Sequence, residues 1–157
     1  MNQQHRKGTV AAIALAAALG ASHVLAASAV PAQLQGGWVP ATAGCDSPVR
    51  VQVAASNLTL VNGSDKQPLG GIEMAGPGYF APGYRGIQAV LITEFDGQQP
   101  ATMTFNAMEK KGVAQIDFSP VVPGNATAQS KAYNARISQL NLAKRFPLNK
   151  VALKKCG

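Results

Sequence analysis

The groups able to do chemistry in this chain are seven carboxylates, Asp46, Asp65, Glu73, Glu94, Asp96, Glu109 and Asp117, two cysteines, Cys45 and Cys156, and two histidines, His5 and His23. Both histidines fall in an N-terminal stretch ordered like a secretory leader. Arg6 and Lys7 come first without an acid, residues 9–20 are an unbroken run of small and apolar side chains, and small residues suited to a signal peptidase follow. A run of about a dozen residues is too short to cross a ~30 Å bilayer as a helix. Residues 1–27 are therefore read as a signal peptide, cleaved within 26–29, and residues 28–157 as one exported domain without a transmembrane segment. That domain contains no imidazole. Ser-His-Asp, Cys-His and histidine–zinc arrangements all leave with the leader.

The carboxylates offer little in exchange. A glycosidase sets two of them across a cleft, and no spacing here predicts that. Glu94 and Asp96 flank Phe95 at a strand end and its turn, while Asp117, between Ile116 and Phe118, reads as the outward position of a strand. The expectation is a protein with no catalytic residue, no metal site and no cofactor.

Cys45 and Cys156 both survive cleavage, and an exported domain with two cysteines is expected to pair them. Such a bond closes a loop of over a hundred residues, worth up to ~4.7 kcal/mol in the chain-entropy account. Export to the periplasm or the medium follows from the leader and the cysteines together.

Charge is basic, with a formal net of +7, and unevenly placed. Every carboxylate precedes residue 118, whereas Lys131, Arg136, Lys144, Arg145, Lys150, Lys154 and Lys155 follow with no acid among them. Lys144, Arg145, Lys150, Lys154 and Lys155 are candidates for contact with an anionic envelope polymer; nucleic acid is a poor fit for an exported chain. Lysines on an outer strand face also serve solubility alone. Residues 76–86 repeat Pro-Gly-Tyr and gather two of the three tyrosines. Rigid rings in a Gly/Pro loop bury area at small entropic cost, so Tyr79, Phe80, Tyr84 and Arg85 are the candidate ligand or partner contacts. Three Asn-x-Ser/Thr sequons, at Asn57, Asn62 and Asn125, are of a kind that arises often by chance.

The elements that must carry these residues are mostly short strands. Residues 49–53 and 57–61 alternate apolar and polar side chains and end at Asn62-Gly63, a hairpin pattern. Residues 36–40 make an opening strand stopped by Pro40, residues 87–95, 101–108 and 113–118 a three-stranded meander, and residues 151–153 a last strand. Residues 120–130 read as a loop. In residues 132–146 Tyr133, Ile137 and Leu140 fit a helical face, while Ile137 and the Leu140-Asn-Leu142 pair fit a bulged strand; the β neighbourhood favours the strand. About eight strands tied end to end suit an all-β, small antiparallel barrel, because closure removes exposed edges; a two-sheet sandwich is the alternative.

Gly36-Gly-Trp38 at the first strand resembles the Gly-x-Trp that opens lipocalins and related calycin barrels. The resemblance implies that Trp38 closes one end of a cavity and that the first strand lies beside the last. It also implies a closing arginine, for which Arg136 is the first candidate and Arg145 the other. Thr93-Glu-Phe95 is loosely similar to the Thr-Asp-Tyr motif of that superfamily, with two of three residues changed and a shorter separation.

Two functions are expected from these readings. The first is a non-catalytic binding protein holding a small apolar ligand or an anionic envelope component; the alternative is an inhibitor or interaction module acting on a partner enzyme. A cavity of several hundred Å³ inside the barrel would favour the first, an interior packed with large side chains the second.

Overall fold

The computed structural model describes residues 29–75, 86, 88–118 and 127–157. The leader read over residues 1–27 lies outside them, as do Tyr79, Phe80, Tyr84, Arg85 and the sequon at Asn125. Eight antiparallel strands close into a barrel in which each pairs with its sequence neighbours and the last returns to the first. They are β1 (Gly36–Pro40), β2 (Val49–Val53), β3 (Leu58–Asn62), β4 (Asp65–Ala75), β5 (Ala89–Glu94), β6 (Thr102–Phe105), β7 (Val113–Asp117) and β8 (Ala152–Cys156). Closure comes from β1 on β8, with Trp38 opposite Lys155 and Gly37 opposite Cys156.

The alternating pattern does what it predicts. Val51 and Val53, Leu58 and Leu60, Leu91, Met103 and Phe105, and Ala114 and Ile116 all point into one buried cluster. The Asp96-Gly97 pair turns β5 into β6 with both φ angles positive, at 51° and 68°, the geometry that suits the right-handed twist of a hairpin.

Two strand assignments change, and they offset each other in the count. Residues 65–75 form the longest strand, β4, although Pro68, Gly70 and Gly71 argue against a strand on propensity. The glycines are there for a bulge. The pairing with β5 slips between Gly70 and Glu73, Gly71 sits at φ +54°, and a Cβ placed on it would lie 2.6 Å from that of Glu94. Residues 132–146, expected as a strand, are helical: α1 spans Ala128–Leu140 and α2 Leu142–Arg145. The decisive signals lie at the ends. Thr127 caps α1 by accepting from the Ser130 amide, and Asn141 breaks the helix in the left-handed region at φ 49°. The Leu140-x-Leu142 alternation is thus the junction of two helices, with Leu142 in the core and Leu140 packed beside it.

Cys45 and Cys156 form a disulfide, their Cα atoms 5.6 Å apart. Cys156 pairs with Gly37 near the start of β1, whereas the loop bearing Cys45 leaves from its other end. That loop must therefore double back along the outer face, where Val39 is fully buried.

Candidate functional site

The interior is full. Val51, Leu58, Leu60, Leu91, Met103, Ile116 and Leu153 fill the middle of the barrel, and the members of the core cluster are at most 7% exposed. Each mouth is then stopped by side chains of its own.

At the mouth where β1 begins, a single 3-10 turn, Ala32–Leu34, crosses the opening. The Trp38 indole N–H donates to the Leu34 carbonyl at 3.0 Å, and its ring meets Phe105 edge-on, 5.1 Å between centroids. Above this stopper lies a groove of about 520 Å³ lined by Leu34, Trp38, Phe105, Glu109, Lys111 and Lys155 among others. Gly86 and Gln88 also border it, and a Cβ on Gly86 would fall 2.8 Å from the Glu109 Cα. On its rim the β6–β7 connection carries three non-glycine residues in the left-handed region, Asn106 (φ 55°), Met108 (φ 52°) and Glu109 (φ 59°). Asn106 fixes the loop by accepting from the Gly112 amide at 2.9 Å. Asparagine tolerates this conformation; methionine and glutamate each cost about 1–2 kcal/mol there. The loop holds Met108 58% exposed to solvent.

The other mouth is plugged by α2 and the residues after it. Leu142, Phe146 and Leu148 enter the core. Above them the Arg145 guanidinium donates through Nε and Nη2 to both Asp65 carboxylate oxygens, at 3.0 and 2.6 Å, and through Nη1 to Gln67 Oε1 and the Leu140 carbonyl. It also lies 4.9 Å over the Phe146 ring, and Asn62 donates to the Arg145 carbonyl at 2.7 Å. The hydrogen bonds from Arg145 hold the Asp65 carboxyl below its usual range, against a smaller opposing effect of burial, and the same contact raises Arg145.

The residues singled out from the sequence are therefore dispersed. Gly36 and Trp38 do sit at a barrel mouth, on the strand that pairs with the last. Arg136 does not reach them: it is exposed on α1, beside the β5–β6 turn, because the segment that bears it is a helix lying outside the barrel wall. Arg145 closes a mouth, the one opposite Trp38. Four of its five N–H donors are engaged by Asp65, Gln67 and Leu140. Lys150 stands 3.7 Å from Asp117, Lys144 is exposed on α2, Lys154 lies half-buried on β8, and Lys155 donates to the Gln33 carbonyl at 2.8 Å. Thr93, the buried polar side chain of β5, exchanges hydrogen bonds with the Ala101 main chain at 2.8 and 3.2 Å, a structural tie. Among the described residues, no three His, Cys, Asp or Glu side chains come together as a metal-binding group, and no helix is long and apolar enough to cross a membrane.

Sequence reasoning missed the β6–β7 loop as a site. Its only signal was Met108 on the otherwise polar face, with Thr102, Thr104 and Asn106, of the strand expected over residues 101–108, which ends in the structure at Phe105.

No family model matches this chain, and neither the search of curated proteins nor that of solved structures found a match.

Proposed function

We propose that this protein is an exported, non-catalytic interaction module that docks on a partner protein, in the manner of an inhibitor of an enzyme, through the Trp38 end of its barrel. The observation that carries the reading is the packed interior, stopped at both mouths, beside an exposed Met108 held on a strained loop. A barrel with no room inside must bind on its surface. An unbranched, polarizable side chain adapts to a partner's pocket, and fixing its backbone in advance lowers the ordering cost of association.

Native mass spectrometry of the protein purified from its own host tests this. The expected result is a complex with a second polypeptide, lost in M108D, a change at an exposed position that leaves the core intact. A small-molecule adduct retained by M108D, with no polypeptide, would overturn the proposal.

A second reading has its own observation. Lys111 and Lys155 stand around a floor of Leu34, Trp38 and Phe105, which suits a small amphiphile with an anionic head. Binding of that kind would survive M108D and be lost in the K111E/K155E double variant.

A further inference from the structure

A second site lies at the opposite end, outside the barrel wall, where α1 runs past the β5–β6 turn. That turn is rigid. Phe95 and Gln98 bond to each other through both main-chain amides, at 2.8 and 3.0 Å, around Asp96 and Gly97 in the left-handed region. The helix is fixed to it by Tyr133, whose hydroxyl accepts from the Gln99 amide at 3.2 Å and reaches the Gln99 carbonyl at 3.4 Å, and by Ile137, which is buried. Between the two elements is a cavity of about 290 Å³ lined by Phe95, Asp96, Gln98, Arg136, Ile137 and Leu140, with Gln139 at its edge. A cavity of about 280 Å³ adjoins it and shares Gln98 and Arg136.

Among the described residues, three polar groups here lack a partner. Arg136 forms no ion pair among the described residues, and neither does Asp96. The Gln98 amide donates through Nε2 to the Asp96 carbonyl at 3.4 Å, and its Oε1 is buried without a donor. Beside them the Phe95 ring is 36% exposed, an apolar platform continued by Ile137 and Leu140.

We propose that this cavity binds a free α-amino acid with an apolar side chain. One cation, one anion and one apolar wall match the three parts of such a zwitterion. Arg136 takes the carboxylate, Asp96 takes the ammonium, and the side chain lies on Phe95 and Leu140. The volume is at the small end of ligand pockets, roughly 300–1,000 Å³, which suits one amino acid and no longer peptide. This site is separate from the docking surface at the Trp38 end and stands or falls without it.

The test is amide NMR of the exported domain titrated with L-leucine, N-acetyl-L-leucine and L-leucinamide at about 10 mM, where even a ligand of Kd ~1 mM fills most sites. L-leucine is expected to shift the amides of Asp96, Gly97, Gln98 and Arg136, and each blocked analogue to bind at least tenfold more weakly. D96N keeps a residue that tolerates the turn, and R136Q changes an exposed helix position; each is expected to weaken L-leucine at least tenfold while the remaining amide spectrum stays unchanged. No shifts at that concentration, equal shifts from a blocked analogue, or full binding by either variant would overturn the proposal.

Discussion

At the Arg145 mouth the guanidinium of the plug is answered from within: it is shared among Asp65, Gln67 and Leu140, and it rests on Phe146. At the Trp38 mouth the stopper is almost wholly apolar, with one indole hydrogen bond, and the loop beside it holds Met108 and Glu109 in costly backbone conformations. The first arrangement has spent its polar capacity on the fold. The second keeps strain and an exposed apolar side chain that the fold does not need, the two features on which the proposed docking rests.

The largest effect expected is on the staple behind the Trp38 mouth. Replacing Cys45 and Cys156 by serine opens a loop with a sequence separation of 111 residues, and should cost about 4–5 kcal/mol in chemical denaturation. Phe146→Ala and Phe105→Ala should each cost about 3–5 kcal/mol, since both rings are fully buried. The two are expected to part in function: Phe105→Ala also weakens docking by loosening the floor of the groove, and Phe146→Ala does not. Equal effects of the two on docking would erase the distinction between the mouths.

Arg145→Met should be milder and pH-dependent. Asp65 has a lowered pKa in the fold, so at acid pH the unfolded chain holds more protons than the native one, and the clasp stabilises fully only above the ordinary carboxyl value of 3.8. As pH falls through the folded value that contribution is lost, and the stability gap between wild type and variant should narrow. A gap that widens in acid would show that Arg145 acts through something other than Asp65. The smallest effect runs the other way. Met108→Gly should stabilise the protein by about 1 kcal/mol by relieving its left-handed backbone, while docking is lost. Lower stability together with intact docking would remove strain from the account.

The barrel was legible because its inward positions keep period two: in β2, β6 and β7 burial alternates along the strand, whereas in β3 Val61 is buried out of phase with Leu58 and Leu60. β4 was hidden by Pro68 and the Gly70-Gly71 pair, residues that oppose a strand locally and are required here by a bulge that only the pairing with β5 reveals. The helix α1 was hidden for the opposite reason. Of its residues Ile137 alone is buried, too little periodicity to outweigh a β neighbourhood, and its cap at Thr127 sits before the segment where a helix was sought. The clasp joins Arg145 to Asp65 across eighty positions, a distance at which spacing carries no signal. Left-handed backbone at Met108 is likewise a product of the β6–β7 pairing, and methionine gives no local hint of it.

Trp38 is the only tryptophan of the chain and forms the floor between the groove and the filled interior, so its emission reports on whether anything enters either space. Titration with a series of fatty acids and an apolar dye should leave that emission unchanged, because the core beneath Trp38 is filled and the groove above it is proposed to take a protein surface rather than a small amphiphile. A saturable change in Trp38 emission would contradict the account and return the protein to the ligand carriers.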